Sequence, residues 1–186
     1  MPTSTPDFPL ASIRSDKQHT LGDSFTIEGI GLHTGESCKL TLHPAEPGHG
    51  YVFQRTDLEG APKVPADCDL VVETRRGTTL EKNGTRICTT EHILAALYGC
   101  GVDNALIELT GQEVPILDGS SWPFIAHIEK VGIVPLSHES QDLGASSTFW
   151  KRLIELQWCL WAPIEAEDFR KVSLRHGQSP SIPRDG

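Results

Sequence analysis

A carboxylate and an imidazole stand side by side at Glu91 and His92, in the stretch "ICTTEHILAALYGCGVDN" from Ile87 to Asn104. Neutral imidazole is the commonest metal ligand among side chains, and a carboxylate beside a metal and its water can take that water's proton. Neighbouring positions on a helix point roughly 100° apart, so the two do not pair with one another but can reach a common third object. The start of a helix also favours an ionised Glu91 through its exposed N–H groups and dipole. The same two residues have a plain structural account. Acidic residues are common in first turns, and Thr89 or Thr90 offers a cap. A catalytic zinc normally takes three protein ligands plus water, and Thr-x-Glu-His supplies one. On the dipeptide alone, the structural account weighs more.

Other candidates are weaker. His33 lies in the Gly-flanked "GLHTG", where an exposed loop histidine and a substrate contact are both open. Asp118 in "VPILDGSS" reads as a turn or cap carboxylate, and Asp103 and Asn104, following two glycines, as turn chemistry. His43, His49 and His127 show no ligand spacing. His138 and Asp142 are four residues apart, without an accompanying lysine and in a polar segment; the match reads as chance, and His176 has no such partner. A nucleophile elbow, a phosphate-binding glycine loop and a dinucleotide fingerprint are all missing.

These residues must be positioned by a chain of 186 residues with 38% hydrophobic and 22% charged residues, ordinary for a globular protein. The net charge of −9 argues against nucleic-acid binding, as does the lack of any basic run. Five isolated cysteines with no Cys-x-x-Cys pair form neither a disulfide framework nor a zinc ribbon. With no signal peptide evident and no apolar run near the ~20 residues of a membrane span, a cytoplasmic location is expected.

The helix begins at Thr90, carries apolar residues on most faces, and stops at Gly99 and Gly101. Before it, "SFTIEGIGLHTG" reads as a strand entering a turn, and "SCKLTLHPAEPG" alternates with Cys38, Leu40 and Leu42 on one face. "GYVFQRTDL" is a third strand, closed by "EGAPKVP". "DLVVETRRGTTLEKNGTRICTT" reads as strand, bend and strand, with Asn83-Gly84 as a hairpin signal. After the helix, "NALIELTG" and "EVPILDG" are two further strands. "SSWPFIAHIEKVG" is a second helix with a serine cap, an early proline, and Phe124, Ile125, Ile128 and Val131 at helical spacing. The expected class is α+β: a two-layer sandwich, a sheet of short strands with two helices on one face. Residues 1–20 read as an arm, 21–135 as the folded unit, and 136–186 as an atypical tail. That tail holds three of the four tryptophans and a possible helix over 149–161.

The pieces "GIGLHTG", "YVFQRTDL", "RGTTL", "TTEHILAALYGCGVDNALIEL" and "EVPILDGSSWPFI" follow one another from about Leu21 to Val134. In that order they resemble the N-terminal half of the UDP-3-O-acyl-N-acetylglucosamine deacetylase family, the zinc-dependent amidases of lipid A (lipopolysaccharide) biosynthesis in Gram-negative bacteria. The resemblance implies the first of two similar α+β domains that face each other across the active site. It makes His92 a zinc ligand and Glu91 the general base that activates the zinc-bound water for attack on the N-acetyl carbonyl. His33, Gly77 and Thr78 are expected to line the substrate cleft. The substrate implied is a UDP-acyl-N-acetylglucosamine. The family's second domain supplies the other two zinc ligands through a His-Lys-x-x-Asp motif, and a further histidine as proton donor. Neither is found after Val134. One zinc ligand of three is then retained, and the expectation is a truncated or frameshifted, inactive form. The alternatives are a non-catalytic binding module, or half of a split enzyme completed by a second-domain chain.

Overall fold

The structure, a computed structural model, describes residues 17–139. Among them ten strands and two α-helices make an α+β fold. Its main element is a five-stranded sheet in the order β2-β3-β9-β4-β5. These strands are β2 (Phe25–Ile30), β3 (Ser37–Pro44), β9 (Ala105–Leu109), β4 (Tyr51–Arg55) and β5 (Lys63–Pro65). All neighbours are antiparallel except β4 and β9, which run parallel. The period-two pattern of the sequence sorts the two faces. Phe25, Ile27, Cys38, Leu40, Leu42, Phe53, Ala105, Ile107 and Leu109 are buried, while Thr26, Glu28 and Lys39 between them are exposed.

Helix α1 (Glu91–Gly99) and helix α2 (Trp122–Val131) share the buried side. In α1, Ile93, Leu94, Ala95, Ala96 and Leu97 are consecutive and all buried. A helix apolar on every side must be surrounded, and α1 is the central helix of the core. α2 is one-sided, burying Phe124, Ile125 and Ile128 and exposing Ala126, Glu129 and Lys130. A three-stranded sheet, β6 (Val71–Glu73), β7 (Thr79–Lys82) and β8 (Thr85–Ile87), adds Leu80 and Ile87 to the same core. Its β7–β8 hairpin pairs Lys82 with Thr85. The turn residues Asn83 and Gly84 have φ of 51° and 79°, as a two-residue hairpin turn of the mirror-image kind requires.

The remaining sheet pairs β1 (Lys17–Leu21) with β10 (Ile133–Glu139), joining the two ends of the described segment. Regular structure therefore crosses both expected boundaries: Lys17 to Thr20 lie within β1, and Leu136 to Glu139 within β10. Two other local expectations are corrected. "EVPILDG" is not a strand, since only a single bridge, Cys88 to Glu113, forms there. Pro115 has no N–H for a ladder, and Leu117 sits at φ 54°, outside extended geometry. "APKVP", read as a closing turn, contributes β5. Asp142, His176, the remainder of the tail and the expected 149–161 helix lie outside the described residues.

Candidate functional site

Glu91 opens α1, yet its side chain is only 6% exposed. Its Oε2 accepts the backbone N–H of Thr78 at 2.7 Å. No other hydrogen bond reaches this carboxylate among the described residues, so Oε1 keeps its acceptor capacity and lies 4.0 Å from His92 Nε2. His92 is 14% exposed, and no hydrogen bond meets either ring nitrogen among the described residues. Desolvation holds its pKa below the ordinary histidine value, against the opposing charges of Glu91 and Asp118. The imidazole is therefore neutral near pH 7, with a lone pair available. That combination suits a metal ligand.

The two threonines before Glu91 do not cap the helix. Thr90 occupies the cap position with no side-chain cap bond. Its hydroxyl donates instead to the carbonyl of Thr78 at 3.1 Å, and its N–H to the same oxygen at 3.2 Å. Thr89, at φ 58°, turns its hydroxyl the other way and donates to Glu113 Oε1 at 2.7 Å. Both hydroxyls are drawn to buried acceptors from other segments, and these replace the local cap.

Glu113 is 2% exposed. Its carboxylate also accepts the N–H of His33 at 3.1 Å and of Thr34 at 2.8 Å. Gly31 is packed against it, and a Cβ there would collide with Glu113 Oε2 and Thr34 Oγ1. His33 reaches onward, its Nε2 lying 2.8 Å from the carbonyl oxygen of Arg76 and donating to it. Gly77 follows, so close to the helix that a Cβ would lie 3.2 Å from Glu91 Oε1. Thr78 then returns to Glu91 and Thr90. The contacts close a ring: Glu113, His33, the 76–78 segment, the head of α1, Thr89, and back to Glu113.

All five residues singled out in the sequence, Glu91, His92, His33, Gly77 and Thr78, thus belong to one neighbourhood. Thr89, Thr90 and Glu113 were missed as its members. For Glu113 a signal was present: a lone acidic residue just before the apolar run Val114–Leu117. Asp118 is a turn carboxylate whose Oδ1 accepts the N–H and hydroxyl of Ser120 at 2.9 and 2.8 Å. His43 pairs with Glu108 at 3.0 Å across β3 and β9, His49 bonds the carbonyl of Gly50, and His127 that of Pro123. The described residues include one set of three closely spaced donor atoms, on Asp67, Cys68 and Asp69. Those residues form a short 3-10 turn (Cys68–Leu70) that Asp67 caps through the N–H of Asp69. Their proximity is that of consecutive residues in a turn. No helix among the described residues is long and apolar enough to cross a membrane.

The sequence model of the family described as LpxC, UDP-3-O-acyl N-acetylglycosamine deacetylase, matches residues 18–175. That span runs beyond the Leu21–Val134 stretch that carries the resemblance. A UDP-3-O-acyl-N-acetylglucosamine deacetylase from Geobacter sp. strain M21 is 52% identical over 116 residues, 62% of this chain and 38% of the relative. One from Xanthomonas axonopodis pv. citri is 45% identical over 132 residues, 71% of this chain and 44% of the relative. A bifunctional enzyme LpxC/FabZ from Bacteroides thetaiotaomicron is 53% identical over 116 residues, 62% of this chain and 25% of the relative. The matched part of the chain spans less than half the length of each. With its fold, the grouping of its site residues and a match over most of its length, the chain belongs to the UDP-3-O-acyl N-acetylglycosamine deacetylase family.

Proposed function

We propose that this chain carries the first-domain half of a zinc-dependent deacetylase site acting on a UDP-3-O-acyl-N-acetylglucosamine. One observation carries the reading: a buried carboxylate and a buried neutral imidazole occupy adjacent positions, each with a polar atom that makes no hydrogen bond among the described residues. An ordinary first-turn glutamate is solvated, and a structural histidine in a core is hydrogen-bonded. Neither description fits Glu91 and His92.

His92 fits zinc as a single neutral nitrogen ligand. When bound, zinc supplies a Lewis acid that polarises an amide carbonyl and makes water a competent nucleophile near neutral pH. Glu91 acts as general base. Thr78 anchors Oε2, so Oε1 is the atom that takes the proton from the attacking water. As water adds to the acetyl carbonyl carbon and the C–N bond breaks, a histidine from outside the described residues gives a proton to the departing amine. His33, Gly77 and Thr78 border the cleft that receives the sugar. Two more zinc ligands are needed for a catalytic site. They come from outside the described residues, and where a complementing second-domain chain supplies them this chain is half of a split enzyme. Residues 21–135, with the flanking residues of β1 and β10, are then the first of two similar domains, and the sequence after Glu139 a separate segment. A nucleotide-sugar substrate, and Cys38, Cys88 and Cys100 outside any disulfide among the described residues, accord with a cytoplasmic setting and a place in lipid A biosynthesis.

The test has two arms. Zinc competition against a chromogenic chelator compares the chain mixed with the remaining length of the Geobacter relative with His92→Ala in the same mixture, and equal affinities would remove His92 from the ligand set. Acetate release from the nucleotide sugar is followed for the chain alone and mixed with the remaining length of the Geobacter relative. Undiminished release by Glu91→Gln would sink the general-base role.

A further inference from the structure

Glu113 stands outside the chemistry just described, yet the ring of contacts around the site closes only through it. It takes the N–H groups of His33 and Thr34 on one side and the hydroxyl of Thr89 on the other. His33 in turn holds the carbonyl of Arg76. Thr90 and Glu91, the next two residues after Thr89, hold the carbonyl and the N–H of Thr78. The 76–78 segment is thus gripped from both ends by groups that share one anchor.

The backbone around that anchor is shaped to it. Gly31 leaves no space for a side chain against the carboxylate. Thr89 adopts φ 58°, a left-handed conformation that a β-branched residue keeps only where the surroundings impose it. Burial alone pushes the Glu113 carboxyl toward its neutral form, but the hydrogen bonds from Thr34, Thr89 and His33 outweigh it and keep its pKa below the ordinary glutamate value. The anchor is a charged acceptor, and hydrogen bonds to charge are roughly twice as strong as neutral ones.

We infer that Glu113 is a positioning residue: by binding the His33 loop and Thr89 at once, it fixes His33 and Thr78 in register with Glu91 and His92. The inference rests on the proposed function for the meaning of that register, while the ring itself requires no metal and no substrate. Loss of a link should be felt across the ring, at residues Glu113 does not touch.

The experiment is amide hydrogen exchange and histidine-ring NMR on the full chain, comparing the wild type with Glu113→Gln, Thr89→Val and Thr89→Ser. Glu113→Gln and Thr89→Val should each speed exchange of the Thr78 amide by about tenfold and shift the His33 Nε2 resonance. The amides of Leu40 and Ile107, in the five-stranded sheet, should change by less than about twofold in the same samples. Thr89→Ser, which restores the hydroxyl, should match the wild type. An unchanged Thr78 amide, equal acceleration at all three amides, or a Thr89→Ser protein that behaves as Thr89→Val overturns the inference. Zinc affinity of the wild type mixed with the remaining length of the Geobacter relative separates the two readings. Its absence sinks the metal reading while the Thr78 and His33 results still decide the ring.

Discussion

The two ends of α1 each hold a buried polar cluster, and they are built on different terms. Past the C-terminal end, Gln18 Oε1 accepts the N–H of Gly48 at 2.8 Å and the Asn104 amide at 2.9 Å. Asn104 Oδ1 accepts the N–H of Gly50 at 2.9 Å. The Thr20 hydroxyl donates to the Asn104 carbonyl and accepts from Ala45, and the Tyr51 hydroxyl donates to the Val102 carbonyl. This cluster is made largely of amides and hydroxyls, and both ends of its central amide are used. It ties β1 and the β3–β4 loop to the start of β9. At the N-terminal end the groups are two carboxylates, two imidazoles and two hydroxyls, and among the described residues Glu91 Oε1 and both ring nitrogens of His92 make no hydrogen bond. A satisfied buried network is a structural device, whereas a buried atom held in place without a partner is open to a ligand or a proton.

That contrast breaks most decisively at Glu91. In the complemented enzyme, Glu91→Gln should lower acetate release on the order of 10²–10⁴-fold while leaving thermal stability near that of the wild type, since glutamine still accepts from Thr78. A large fall in stability with activity intact would make the N-terminal cluster structural as well. The opposite pattern is expected at Asn104. Asn104→Ala leaves the Gly50 N–H and one Gln18 bond without partners, and should cost roughly 2–4 kcal/mol in urea unfolding with zinc affinity unchanged.

Glu113 sharpens the comparison because it is structural and charged at once. Its folded pKa is depressed, so its contribution to stability is complete above the unfolded value and is lost as pH falls through the folded one. The stability gap between wild type and Glu113→Gln should therefore be about 1–3 kcal/mol at pH 7 and shrink toward zero as acidification passes below the ordinary glutamate value and through the lowered folded one. A gap independent of pH would mean that the carboxylate's charge plays no part. The smallest effect is expected at the surface pair of exposed Arg86 and half-buried Glu81, 2.8 Å apart. Glu81→Ala should change the unfolding free energy by less than about 1 kcal/mol, setting a baseline for both clusters.

The fold was legible where burial is one-sided. Cys38, Leu40 and Leu42 on alternate positions gave β3, the Asn83-Gly84 pair gave the β7–β8 turn, and Phe124, Ile125 and Ile128 gave α2. It was not legible where pairing is long-range. β1 and β10 are joined from opposite ends of the described segment, and nothing local in "KQHTL" marks it as an edge strand. "EVPILDG" looked like a strand because its apolar run is short and flanked by glycine, but Pro115 and the conformation at Leu117 exclude it from a ladder.

Sequence by itself determined the chemistry on offer: a carboxylate next to an imidazole at the start of an apolar helix, two glycine-flanked loops, and the pattern that places the chain in its family. Tertiary structure alone decided that Thr89 and Thr90 bind across the site instead of capping α1, and that a glutamate 22 residues beyond Glu91 closes the ring around it. The physical reason is the reach of each signal. Helical and strand periods are properties of neighbouring residues, whereas a buried carboxylate takes whichever donors the folded chain brings to it, and their distance along the sequence leaves no local mark.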